Sequence, residues 1–134
     1  MTIKFDTTTR NTIVDAIVSR IGNAGILRIY ASPRPANVGT PISTQTVLAE
    51  LTLASPAAPS ASGGVAAFNP IAQDPTTNND GIASFFRIFQ SDGATAVIDG
   101  DVAVSGADLN LNTISIISGG PLQITALTIT APGA

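Results

Sequence analysis

SFFRIFQSDGATAVIDGDV, residues 84–102, is the stretch whose reading decides the fold. Phe85, Arg87 and Phe89 alternate with Phe86 and Ile88, which is the two-residue period of a β-strand. Ser91-Asp92-Gly93 follows with turn chemistry, because Asp-Gly tolerates the positive φ angles of a tight hairpin. Residues 95–102 then supply the returning strand. An antiparallel hairpin is therefore expected in the C-terminal half.

The same alternation recurs on both sides of it. In residues 25–31, Leu27 and Ile29 alternate with Arg28 and Tyr30. In residues 46–53, Val47, Ala49, Leu51 and Leu53 alternate with Thr46, Glu50 and Thr52. Residues 112–117, the turn Gly119-Gly120-Pro121 and residues 122–130 predict a final hairpin. Its last strand changes phase, since Leu122 and Ile124 share one face while Leu127 and Ile129 fall on the other. Either a β-bulge near Thr125 restores the phase or both faces are covered.

One segment has the helical period instead. Ile13, Val14, Ile17, Val18 and Ile21 form a single apolar stripe over residues 12–21. Thr8, Thr9 or Asn11 offers an N-cap, and Gly22 sits where a helix-ending glycine belongs. The polar face has no Lys/Arg excess, so the stripe is read as a packing face and not as a membrane-surface helix. The fold expected is mainly β, a β-sandwich or Greek-key type domain over residues 1–134 with one N-terminal amphipathic helix. Residues 1–9 are expected to form an arm. Residues 32–45 and 55–64 are expected to be long contact loops, the second (SPAAPSASGG) without side chains able to fill a core. Residues 74–81 (DPTTNNDG) read as a turn-rich surface loop.

Composition narrows the function. Of 134 residues only 11% are charged, against about 25% in an ordinary domain. That composition suits a surface partly covered by neighbouring subunits, and it also suits an extracellular β-protein. The net charge is −3 and the six basic residues are scattered singly. Nucleic-acid binding needs a concentrated basic patch, so no nucleic-acid partner is expected. No apolar run approaches the roughly 20 residues needed to span a bilayer, so no membrane partner is expected either. Asp6 and Arg10 interrupt any signal-peptide pattern. The chain is expected to be made in the cytoplasm and to stay soluble, or to leave by another route.

The chain has neither His nor Cys. This removes the commonest general base, the Ser-His-Asp triad and the usual ligands of transition metals. The remaining candidates are carboxylates. Asp99 and Asp101, with Asp92 and Asp108 nearby, would share a strand face about 7 Å apart. Such a pair could work on a glycosidic bond or share a Ca2+ ion, but exposed strand-end aspartates are the expected reading. Thr76, Asn78 and Asp80-Gly81 imitate the centre of an EF-hand loop. Thr76 stands where the first Asp should be and Arg87 where the final Glu should be. No catalytic, cofactor or metal site is expected, and the chain is not expected to be an enzyme.

The run FFRIFQSDGATAVIDGDVAVSGADLNLNTISIISGGPLQITALTIT, residues 85–130, resembles a family of small phage and prophage proteins. Their frame is an aromatic-Arg strand, a DSxG-like turn, a segment of the type DG.V…SGADL.L and a final Thr/Val-rich strand. TRNTIVDAIVSRI, ILRIYAS and VLAELTLASPA extend the likeness through the N-terminal half. Phe85-Phe86-Arg87 stands where the family usually has Trp-Phe-Arg, and residues 55–64 are looser than their counterpart. The resemblance implies a structural component of a phage particle and leaves its location open. The leading expectation is a head decoration (cement) protein that binds the major capsid protein or other virion subunits and associates with itself. Residues 1–6, 32–45 and 55–64 would make its contacts. A tail, neck or fibre-base protein is the second expectation, and a carbohydrate- or receptor-binding module the third.

Overall fold

The computed structural model describes residues 3–134, so Met1 and Thr2 of the expected arm lie outside the described residues. The domain is mainly β with one N-terminal helix, the class expected. The helix α1 spans Thr7–Ile21, and nine strands follow among the described residues. They are β1 (Ile26–Tyr30), β2 (Val47–Thr52), β3 (Val65–Ala67), β4 (Gly81–Ile82), β5 (Phe85–Phe89), β6 (Ala96–Ala103), β7 (Leu109–Leu111), β8 (Ser115–Ile116) and β9 (Ile124–Thr130). Seven of them form one curled sheet in the order β2-β1-β5-β6-β7-β9-β3, and β4 pairs with β8 in a small second sheet. All pairings are antiparallel except β6 with β7.

The helix starts five residues before the expected boundary. Asp6 is its N-cap and accepts from the Thr9 amide, a role expected of Thr8, Thr9 or Asn11. Thr7, Thr8 and Thr9 thus belong to the helix and not to an arm. Phe5 is held as well, its amide donating to the carbonyl of Gly133. Val14 and Ile21 are buried, with Ile13, Ile17 and Val18 packed around them, so the apolar stripe is used in full. The sheet curls around this stripe, bringing β3 from its end and β6 from its middle against the helix.

The β5–β6 hairpin forms as the sequence dictates. Gly93 takes φ +68°, and Asp92 accepts from the amides of Ala94 and Thr95 and from the Thr95 hydroxyl. The phase change in β9 is a bulge. Leu109 faces Leu127, Asn110 faces Ala126, and Leu111 faces Ile124, which leaves Thr125 as the extra residue. Leu122, Leu127 and Ile129 all reach the buried side, with Ile124 packed beside them.

The final hairpin differs from expectation. β9 pairs with Leu109–Leu111, while Ser115–Ile116 leaves the sheet to pair with Gly81–Ile82. The reason is spacing: the 12 residues between β7 and β9 are too many for a tight turn, and their middle finds β4 instead.

The core centres on Phe86, Leu27, Ile29, Leu48, Ile88 and Leu109, each fully buried. Phe86 lies directly over Gly100, its partner across the β5–β6 pair. A Cβ built on Gly100 would come within 2.4 Å of the Phe86 ring, so only glycine fits there.

Candidate functional site

Arg28, Glu50, Arg87 and Asp99 form one row across the outer face of the sheet. Register fixes this row: Glu50 of β2 faces Arg28 of β1, Arg28 faces Arg87 of β5, and Arg87 faces Asp99 of β6. Two guanidinium groups directly opposite each other would repel. Each is neutralised from its far side instead, which gives the sequence carboxylate, guanidinium, guanidinium, carboxylate across four strands.

The two halves of the row differ in burial. Arg87 donates through Nε and Nη2 to the Asp99 carboxylate at 2.6 and 2.9 Å, and both side chains are 3% exposed. Residues 37–40 cross above them, where the carbonyls of Thr40 and Asn37 accept from Nη1 and Nη2. Asp99 raises the Arg87 pKa further above its ordinary value, so the guanidinium stays charged despite burial. Arg28 donates to Glu50 at 2.7 Å, and these side chains remain 28% and 49% exposed. The Arg28 guanidinium also lies 4.8 Å over the Phe89 ring and donates to the carbonyl of Gly93. A neighbouring row stacks Tyr30 on Phe85, with ring centroids 5.1 Å apart. Burial raises the Tyr30 pKa, and nearby Arg28 offsets part of that rise.

Above the row runs a groove of about 740 Å³, walled by residues 38–42 on one side and by the β5–β6 turn on the other. A second hollow of about 440 Å³ continues it past Arg28 and Tyr30 toward Gln45 and Glu50.

The carboxylates singled out from sequence do not converge. Asp99 is no exposed strand-end group but is buried against Arg87, while Asp101 pairs with Arg34. Asp92 caps its own turn, and Asp108 accepts from the Asp101 amide. Two carboxylates each held by its own arginine leave no shared proton and no pair open to a cation. Among the described residues no group of three or more His, Cys, Asp or Glu could hold a metal.

Residues 74–81 are the turn-rich surface loop expected, with Pro75, Thr76, Asn78, Asn79 and Asp80 exposed, but the loop is anchored at both sides. Asp74 and Thr77 are buried. Asp74 accepts from the Glu50 amide, Asn78 donates its amide to Leu48 O, and Asn79 donates its side chain to Val47 O. On the other side Thr77 exchanges backbone hydrogen bonds with the turn at residues 119–120, and Asp80 accepts from the Ser118 amide. The segment lies along the free edge of β2, held there by the side chains of Asp74 and Asn79 and the backbone of Asn78, while the Asp80 carboxylate is taken by Ser118.

The two long loops are tied down too. Residues 32–45 cover Arg87, and Arg34 and Gln45 fasten them further. Residues 55–64 lie against the helix: Asn11 accepts from the Gly64 amide and Asp15 from the Ala61 amide. Ala57 and Ala58 of this loop are buried, so alanines do fill core space there, contrary to the sequence reading. The Arg28–Glu50–Arg87 row was missed because each residue reads singly as the polar position of its strand. Only the inter-strand register, shifted by bulges within both β1–β2 and β5–β6, aligns them.

No helix among the described residues is long and apolar enough to cross a membrane. No protein-family model, curated protein or solved structure matches the chain.

Proposed function

We propose that this chain is a non-enzymatic structural component of a bacteriophage particle, acting as a head decoration (cement) protein on the capsid. The observation that carries the assembly reading is the placement of its exposed aliphatic side chains. Ile3, Ile82, Val104 and Ile117 are each more than half exposed, and the last three stand close in the chain to strand residues at one end of the sheet. Ile82 precedes Phe85 by three positions and Val104 follows Asp101 by three, and Phe85 and Asp101 are partners. Ile117 adjoins the β4–β8 pair that holds Ile82. In a chain with so few charges, four exposed aliphatic groups, three of them close in the chain to one end of the sheet, favour contact with a neighbour.

The resemblance of residues 85–130 to small phage and prophage proteins supports a neighbour within a phage particle, and the decoration reading makes that neighbour a capsid subunit. A tail, neck or fibre-base place remains the alternative; strand addition there would not use β2, where residues 74–79 already hold the Glu50 amide and the Val47 and Leu48 carbonyls. Many copies, each burying apolar area on the lattice, would stabilise the shell. Heating capsids assembled with and without the chain tests this role. Decorated shells are expected to survive to higher temperature, and equal resistance would overturn the cement function.

A further inference from the structure

Residues 32–45 link β1 to β2, which are neighbours in the sheet, so both ends of the segment leave from one hairpin. Tyr30 faces Val47, and the Ala31 amide donates to the carbonyl of Thr46 at the base. From there the segment folds across the outer face and over Arg87. No residue of 32–45 is buried, whereas Ala57 and Ala58 anchor the second long loop and Asp74 and Thr77 the third. Among the described residues, every hydrogen bond from 32–45 to the sheet beneath ends on one of two side chains. Arg87 donates to the carbonyls of Asn37 and Thr40, and Arg34 donates to Asp101. The remaining ones, from Thr40, Ser43 and Gln45, stay within the segment.

We propose that residues 32–45 are a flap, hinged where Ala31 meets Thr46 and latched by Arg87, that swings off the outer face while the sheet stays paired. Opening breaks no ladder hydrogen bond, because the pairings of β1 with β2 and with β5 lie outside the segment. Of its two ties, Arg34 and Asp101 are 41% and 69% exposed, and an ion pair so open to water holds little. Arg87 is the stronger tie, since a buried guanidinium donates to both carbonyls and hydrogen bonds from a charged group are the stronger kind. On their far side residues 38–42 stand off from the β5–β6 turn across the groove, so no packing closes the flap there. A segment with no buried residue and one strong tie is the part of a fold that opens first. Opening brings water to Arg87 and Asp99 and widens the groove over Tyr30 and Phe89. The device does not depend on the phage reading.

Limited digestion of the purified chain with subtilisin, with cut sites mapped by mass spectrometry, tests the flap. The first cut is expected within residues 36–44. Its rate should be almost independent of urea below the unfolding transition, because local opening exposes little surface. Arg87→Lys keeps a charge beside Asp99 but cannot bond the carboxylate and both carbonyls together. It should speed that cut at least about tenfold and leave cutting within residues 55–64 unchanged. Arg34→Ala should speed it at most about fivefold. Circular dichroism checks that both variants fold, and if Arg87→Lys does not, the cut site and urea dependence of the unsubstituted chain decide. A first cut outside residues 36–44, a rate climbing steeply with urea, or no acceleration in folded Arg87→Lys overturns the flap. Equal acceleration by the two variants overturns Arg87 as its latch.

Discussion

Arg87 of β5 and Asp99 of β6 face each other as a two-pronged ion pair, with hydrogen bonds of 2.6 and 2.9 Å and both side chains 3% exposed. A buried pair of this kind is costly to break from one side, because the surviving charge has no solvent to turn to. Asp99→Asn is therefore expected to lower unfolding free energy by about 3–5 kcal/mol. Arg87→Met with Asp99→Leu removes both charges and should cost much less. Urea denaturation of the two variants checks this, and a double variant as unstable as Asp99→Asn would contradict it.

Gly100→Ala is expected to destabilise by about 1–3 kcal/mol, since its new methyl must displace the ring of Phe86 in a filled core. The Gly100→Ala, Phe86→Leu combination should recover part of that loss, as thermal unfolding would show.

The turn at Asp92 carries the pH dependence that can be followed most simply. Hydrogen bonds from the Thr95 hydroxyl, and from the amides of Thr95 and Ala94, hold the Asp92 pKa down at about 2, below its usual 3.8. A depressed folded value means that the stabilisation is complete above about pH 4 and fades as pH falls toward 2. Carbon-detected NMR titration should give a midpoint near 2. Asp92→Ala should remove this contribution at neutral pH and weaken the acid dependence of the β5–β6 turn.

Residues 55–64 are expected to loosen when their two helix anchors are removed. Asn11→Ala and Asp15→Ala each delete an acceptor for a loop amide, at about 1 kcal/mol apiece. Hydrogen exchange should accelerate at the amides of Gly64 and Ala61 respectively, while the β5–β6 hairpin keeps its protection.

Much of the fold was legible because it is local. The alternation in residues 25–31, 46–53 and 84–89, the Asp92-Gly93 turn and the apolar helix stripe each depend on neighbours a few positions apart. The bulge at Thr125 left a visible phase change. Partners fixed at long range were not legible: β3 is three residues long, β7 pairs in parallel with β6, and β8 leaves the sheet for β4. The same holds for the outer face. Asp99 looked like one member of a carboxylate pair with Asp101, and only the cross-strand register gives each aspartate its own arginine. The anchoring roles of Asn11, Asp15 and Asp74 were not legible, because each holds a backbone amide more than 20 residues away.

The central claim, a structural place in a phage particle, is tested most directly by immunogold labelling of intact virions with an antibody against this chain. Label distributed over the heads is the result expected. Unlabelled particles, with the chain also missing from denatured virions by mass spectrometry, would contradict the account.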